Sequence, residues 1–346
     1  MTTYKEIKGQ LIRSVSSDPA NPQIGQIWYN NTTGVLKGYV TVASTFSSGG
    51  NRNDGQNSGG SAGTLTAGLA FGGNRNPGLP NTGGLALQTQ SEEYNGSSWT
   101  EGGAMSQGRA TFGGGGTQTA ALAFGGRTTN NPFTYTNLTE EYNGSSWTSG
   151  GNLGSTAYYM NRSGCGTQTA GLCVGGINNI PGTADQRRTE EYDGSSWTTV
   201  NDMVADSLQQ IFLGSQTSGI LLGGSQPGAK TAIYNYDGTN WTTNPASSIN
   251  GLVERSGIGT ASAALLAGGS PYVPSASNSE LWNGTAFAND ATIATQRGSA
   301  QSSSASTSPV AGYITSGSNP TTPASALTST EVYTETFNAA RTLTTS

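Results

Sequence analysis

Apolar and polar positions alternate along this chain in short runs, and the runs recur. The stretch AALAFGG (120–126) is small, apolar and ends on two glycines; it returns as AGLAFGG (67–73) and AGLCVGG (170–176). A second stretch, TEEYNGSSWT (139–148), alternates polar and apolar residues on both sides of a turn, and returns as SEEYNGSSWT (91–100) and TEEYDGSSWT (189–198). Period-two alternation in runs this short predicts strands, and helical periodicity is absent nearly everywhere. Asn-Gly or Asp-Gly between the two halves predicts a two-residue hairpin of type I′, with positive φ at both central residues. A run such as ATFGGGG (110–116) leads through a polar turn at Thr117 and Gln118 into 120–126. Each copy therefore reads as a four-stranded antiparallel meander.

The double glycines begin at Gly72, Gly125, Gly175, Gly223 and Gly268, and a degenerate Ser316–Gly317 follows. Aromatic pairs keep the same beat: Tyr94/Trp99, Tyr142/Trp147, Tyr192/Trp197, Tyr236/Trp241, Trp282/Phe287 and Tyr333/Phe337. Four strands in about 50 residues is the size of a propeller blade. Gly, Ala and Ser dominate the first two strands, which suits a crowded axis. The aromatics fall on the outer two strands, where they fill the space between neighbouring sheets. The expected fold is all-β: a six-bladed β-propeller of four-stranded antiparallel blades, with seven blades as the alternative.

The double glycine after an apolar strand, with Tyr and Trp on later strands, resembles the kelch-repeat family over about residues 56–346. The Tyr-to-Trp spacing is tighter here than that family usually has. The expected division is an N-terminal attachment segment (1–45), then a Gly/Ser/Asn linker that runs into the first blade (46–62). The propeller follows over 63–346, with repeats near 56–105, 106–153, 154–203, 204–247, 248–292 and 293–346. The stretch GQIWYNNTTGVLKGYV (25–40) reads as a separate hairpin without an inner pair of strands.

Composition narrows the functional classes. Charged residues make up only 10% of the chain and the net charge is −5. Lys5, Lys8, Arg13 and Lys37 outweigh Glu6 and Asp18 in the first 40 residues, so the acidic excess lies downstream. No basic stripe supports nucleic-acid binding, and no apolar run has the length of a membrane span. The first residues lack the apolar core of a signal peptide, so synthesis in a cytoplasm without export is expected. Cys165 and Cys173 flank one turn and could face each other across one hairpin; two reduced, packed thiols are the first reading and a disulfide the alternative.

The segment SSDPANPQIGQIWYNNTTGVLKGY (16–39) resembles the N-terminal heads of tailed-phage structural proteins, marine ones above all. Head and repeats together are similar to tail-fibre or virion-surface proteins of those phages. The resemblance implies a non-enzymatic structural protein on the virion surface, assembled in the host cytoplasm and present in several copies. A tail-fibre adhesin for host recognition is the first expectation. A capsid decoration protein is the second and a glycan-degrading enzyme the third. Ile24, Ile27, Trp28, Tyr29, Leu36 and Tyr39 are the candidate attachment residues, with other virion proteins as partners. A host surface glycan or protein is the expected ligand.

Catalytic chemistry is sparse. The chain has no histidine, which removes Ser-His-Asp and Cys-His catalysis and most zinc sites. No catalytic residue, metal ligand or cofactor is assigned. Arg109, Arg162, Arg255 and Arg297 lie near inner strands without a phased acid and tyrosine. The pairs Glu92/Glu93, Glu140/Glu141 and Glu190/Glu191 suggest a glycosidase acid and base, but they recur at one strand phase and neighbours in a strand face opposite ways. They read as scaffold. Tyr94, Trp99, Tyr142, Trp147, Tyr192, Trp197, Tyr236 and Trp241 likewise read as packing between blades rather than sugar platforms. The loops after each double glycine vary, and recognition is expected there, with Phe133, Tyr135, Arg187, Arg188 and Tyr272 as candidates.

Overall fold

Glycine and alanine at the inner strands let backbones approach closely, and the architecture follows from that. In the second repeat Gly113–Thr117 pairs antiparallel with Ala120–Phe124, which pairs with Thr139–Tyr142, which pairs with Trp147–Ser149. A methyl group placed on Gly113 would lie 2.2 Å from the Phe124 ring, and one on Gly114 would lie 2.9 Å from Phe71 of the neighbouring sheet. The computed structural model describes residues 12–75, 86–130, 132–154, 166–176, 187–206, 209–224, 231–251, 253–269, 277–303, 310–318, 326–335 and 337–343. Among them the fold is all-β.

The chain divides into two compact units, 46–334 on the one hand and 1–45 with 335–346 on the other. The larger unit holds six four-stranded antiparallel sheets arranged as blades. Their innermost strands are Gly60–Thr64, Gly113–Thr117, Gly166–Thr167, Ile211–Ser215, Ser256–Gly259 and Gln301–Ser302. Each lies against the next, and the sixth lies against the first, so the succession closes on itself. Two-stranded ribbons (Asn74–Arg75 with Ala86–Leu87, Arg127–Asn130 with Phe133–Tyr135) leave the double-glycine ends of the first two sheets.

The core lies between sheets rather than in one centre. Leu69 and Phe71 of the first sheet pack with Phe112, Ala121, Ala123, Tyr142 and Trp147 of the second. Phe124 of the second meets Tyr192 and Trp197 of the third. Each buried leucine or phenylalanine contributes about 1.5–3 kcal/mol, and such contacts repeat around the unit.

The double glycines have a conformational cause. Gly125 and Gly126 take φ of 64° and 96°, a region that side chains with a Cβ rarely enter. The same signs hold at the degenerate copy, where Ser316 (φ 60°) precedes Gly317 (φ 97°). The turn after each strand is fixed by the fold even where the residue type has drifted.

Three expectations are corrected. The stretch 46–62 enters the first sheet at Gly60–Thr64 as expected, but its start is not a linker: Thr45–Ser48 is the fourth strand of the sixth sheet, hydrogen-bonded to Thr330–Thr334. Phe337 is not the outgoing aromatic of the sixth repeat. Phe46 takes that place, its ring 5.0 Å from Tyr333, while Phe337–Thr342 pairs with Val35–Val42 in the smaller unit. Here the succession closes with one sheet sewn from both ends of the array, and an early strand supplies that seam. The hairpins also turn differently. Only Gly96, Gly144, Gly194, Gly238 and Gly284 carry positive φ there. The glycine is thus the first central residue, as in a type II′ turn. The preceding Asn or Asp accepts instead: Ser97 N and Ser98 N both donate to Asn95 Oδ1 (3.0 and 2.9 Å).

The smaller unit has its own sheet, ordered Arg13–Val15, Ile27–Asn30, Val35–Val42, Phe337–Thr342. Its first pair is parallel and the other two are antiparallel.

Gly126→Ala is expected to destabilise the larger unit by about 1–3 kcal/mol, read as a lower urea midpoint. The added Cβ would meet Phe112 Cβ at 2.5 Å as well as straining φ. Gly96→Ala, equally strained but 3.4 Å from its nearest neighbour, is expected to cost less.

Candidate functional site

The repeated glutamates sit on one strand and face two ways. Glu140 points inward, 2% exposed. It accepts from Arg109 Nη2 at 2.5 Å and from the backbone N–H of Ser106 at 2.7 Å. Ser106 belongs to the crossover from the first sheet to the second, so Glu140 pins that crossover. The arrangement recurs as Arg52–Glu92 (2.9 Å), Arg188–Glu190 (2.8 Å), Arg255–Glu280 (2.8 Å) and Arg297–Glu331 (2.7 Å). Backbone N–H groups of Asn53, Gly154, Asn250 and Thr295 complete those carboxylates. In the fourth repeat Tyr234 occupies the glutamate's position. Burial pulls the Arg109 guanidinium below its ordinary range and the Glu140 charge opposes the shift.

The second glutamate faces the following sheet. Tyr142 Oη donates to Glu93 (2.7 Å), Tyr192 Oη to Glu141 (2.5 Å) and Tyr236 Oη to Glu191 (2.7 Å). Tyr333 Oη makes the same kind of bond to Asp290. The tryptophans lock the same seams. Trp147 Nε1 donates to Ser91 Oγ (2.9 Å), Trp197 Nε1 to Thr139 Oγ1 (2.9 Å) and Trp241 Nε1 to Thr189 Oγ1 (3.0 Å). Gln118, Gln168 and Gln216 each donate to two carbonyls of the preceding sheet.

The seam between sixth and first sheets is made differently. Trp99 Nε1 still donates to Thr330 Oγ1 at 3.0 Å. Val332 stands where the carboxylate would be, and Tyr94 Oη faces Gly49, on which a Cβ would lie 2.9 Å away. Arg52 compensates. Wholly buried, it donates to Glu92 Oε1 (2.9 Å), Gln301 Oε1 (2.5 Å), Ser316 Oγ (3.1 Å) and Gln56 Oε1 (3.0 Å). Its guanidinium also lies 5.6 Å from the Trp99 ring centroid. Sequence reasoning passed over Arg52. The available signal was Gln56, which stands in the phase held by Arg109 and Arg297 and leaves Glu92 short of a cation.

The candidate recognition residues fall on separate elements. Phe133 and Tyr135 share the hairpin strand Phe133–Tyr135. Phe133 is 47% exposed, and the Arg127 guanidinium lies 5.1 Å from its ring centroid. Arg187 forms an exposed pair with Asp206 (3.5 Å). Arg188 is committed to Glu190 and to Thr199 Oγ1. Tyr272, Cys165 and Arg162 lie outside the described residues, as do most of the variable loops; Cys173 is buried against Phe124 and Tyr192.

In the smaller unit Trp28 is fully buried, Ile27, Leu36 and Tyr39 are half-buried, and Ile24 and Tyr29 are exposed. Asp18 organises them. It accepts from Lys37 Nζ (2.6 Å), Asn30 Nδ2 (2.8 Å) and Trp28 Nε1 (3.0 Å). The bond from Lys37, then those from Asn30 and Trp28, hold its carboxyl down at about 2.

Arg109→Met is expected to cost about 3–5 kcal/mol, because it leaves Glu140 buried without its cation. Arg109→Met combined with Glu140→Leu is expected to regain most of that loss in urea titrations. Alkali tests the other lock. Burial first, then the bond to Glu93 or Glu141, pushes Tyr142 and Tyr192 up to about 12. A pKa raised in the folded state gives stability that is complete below the unfolded value, about 10, and is lost as pH climbs through the folded one. Stability is therefore expected to fall between about pH 10 and 12, tracked by tyrosinate absorbance. Tyr142→Phe with Tyr192→Phe is expected to flatten that dependence.

No family model and no curated protein matches the chain. Among solved structures, that of YjhT is similar in fold. It shares 14% identity, covers 84% of this chain and 99% of that chain, and has a TM-score of 0.63.

Proposed function

We propose that this chain is a non-enzymatic phage virion protein. Residues 46–334 form a six-bladed, kelch-like β-propeller displayed on the particle surface, and the unit that contains residues 12–45 joins it to other virion proteins. Six sheets with a sixth-to-first seam support the propeller reading. The observation that carries the attachment reading is the division of the chain. The segment that resembles phage heads belongs to a compact unit of its own, with a buried Trp28 and with Ile24 and Tyr29 left at the surface.

Host recognition is the display role. The Phe133 hairpin supports it: an exposed ring is held on one side by Arg127, on an irregular loop carried by a rigid sheet. Weak contacts of this kind gain strength from many copies on one particle. The engagement of each described Glu-Glu pair in an ion pair and a tyrosine bond supports a structural rather than catalytic role for those acids.

Removal of residues 1–42, which leaves Thr45–Ser48 in place, is expected to abolish incorporation into particles while the larger unit keeps its thermal midpoint. Incorporation at the level of the full chain would refute the attachment reading. Phe133→Ser is expected to lower retention of particles on host cells several-fold without changing their protein composition; unchanged retention would remove that hairpin from the recognition surface.

A further inference from the structure

We propose that the attachment unit is built from the chain segments that precede and follow residues 46–334 in sequence, and forms only once both are present. Residues 12–45 hold their sheet only after Phe337–Thr342 is added, so the unit forms late, in chains already made through residue 343. The folding statement stands on strand pairing alone; its consequence in the particle rests on the attachment reading above.

The central strand of this unit, Val35–Val42, has eight residues. On one side it pairs with the four of Ile27–Asn30. On the other it pairs with six, from Lys37↔Thr342 to Val42↔Phe337. Without the late strand there remain one hairpin and a three-residue parallel strand, Arg13–Val15. A lone hairpin is marginal in water. The late segment also brings apolar cover: Leu343 N donates to Leu36 O at 2.8 Å, and the Leu343 side chain lies against Gly38, 3.4 Å from where a Cβ would stand.

Connectivity times this addition. Two residues separate Val42 from Thr45–Ser48, and two separate Thr334 from Phe337. Thr45–Ser48 and Thr330–Thr334 are the neighbouring strands that sew the sixth sheet. Closure of the larger unit therefore delivers both long strands of the smaller unit's main ladder. A chain with an unfinished sixth sheet lacks the attachment surface, and defective copies are kept out of the particle.

The backbone supplies matched variants. Because Leu343 N bonds to Leu36 O, alternation along an antiparallel ladder turns the N–H of Ala339 toward Val35–Val42 and that of Ala340 away from it. Phe337–Thr342 is an edge strand, where an outward proline is tolerated. The test is trypsin cleavage after Lys37, which the sheet shields. Compared are the full chain, Ala339→Pro, Ala340→Pro and a chain stopped after Thr334. Ala339→Pro and the shortened chain are expected to be cut about tenfold faster or more, with the thermal midpoint of the larger unit unchanged. Ala340→Pro is expected to match the full chain, and a peptide of residues 335–346 is expected to restore protection to the shortened one. Equal protection of the full and shortened chains overturns the proposal. So does loss of the larger unit in both damaged variants, because the late strand would then serve that unit. Incorporation is scored beside cleavage. A shortened chain that loses protection yet enters particles refutes the attachment reading and leaves the folding statement standing.

Discussion

Closure of the sheet succession is the constraint on which the rest of the structure depends. Stacked sheets bury their faces against two neighbours each, and an open array leaves two faces bare. The chain meets this by fitting the last sheet to the first, through the Trp99–Thr330 bond and the buried Arg52. Arg52 ties Glu92 of the first sheet to Gln301 and Ser316 of the sixth. The sixth sheet is sewn from both ends of the array. Its fourth strand therefore comes from Thr45–Ser48, and the strand that sequence order assigns to it is released to the smaller unit.

Low charge and abundant glycine follow from the same constraint. Close approach near the inner strands leaves no room for side chains, as the 2.2 Å encounter of a Gly113 methyl with Phe124 makes plain. Polar backbone brought that close must still be satisfied. Glutamates do this at the crossovers, and an arginine neutralises each one that is buried with it. The arginine reaches its partner from different positions in the chain: four residues before the inner strand at Arg109 and Arg297, directly before it at Arg255. Geometry around the carboxylate holds constant while the sequence phase does not.

That difference explains how much was legible beforehand. Strand periodicity, the double glycines and the Tyr–Trp beat are local, and they located the sheets and the seam residues. The Asn-Gly turns are legible in the sequence; their backbone signs are not. The Asn side chain replaces a backbone acceptor with its own oxygen, so one positive φ suffices. Phe337 fell on the right beat for the sixth aromatic, and Phe46 displaced it because closure is decided by proximity in space. No local pattern marks Arg52, for the same reason: its partners lie up to 264 residues away. In the N-terminal segment Trp28 and Tyr29 stand side by side on one strand. One is fully buried and the other exposed, as alternation on a strand requires, and Asp18, which organises the segment, had no repeat to flag it.

Repetition itself argues where function lies. While the recurring Asn or Asp caps its own hairpin, the polar side chains that the repeat places at the seams are consumed in holding one sheet to the next: the first glutamate on arginine and backbone, the second on tyrosine, the indole N–H of Trp147 and its counterparts on a hydroxyl, the glutamine on two carbonyls. Changing one of these for the sake of a ligand would open a seam, and the closed succession shares the strain of any open seam among its neighbours. Variation free of that penalty is found away from the seam residues. Phe133 and its hairpin are one such set, and the unit formed by 12–45 with 337–343 is the other. The repeat builds a body with little chemistry to spare, and the proposed recognition role therefore falls to the parts that break the repeat.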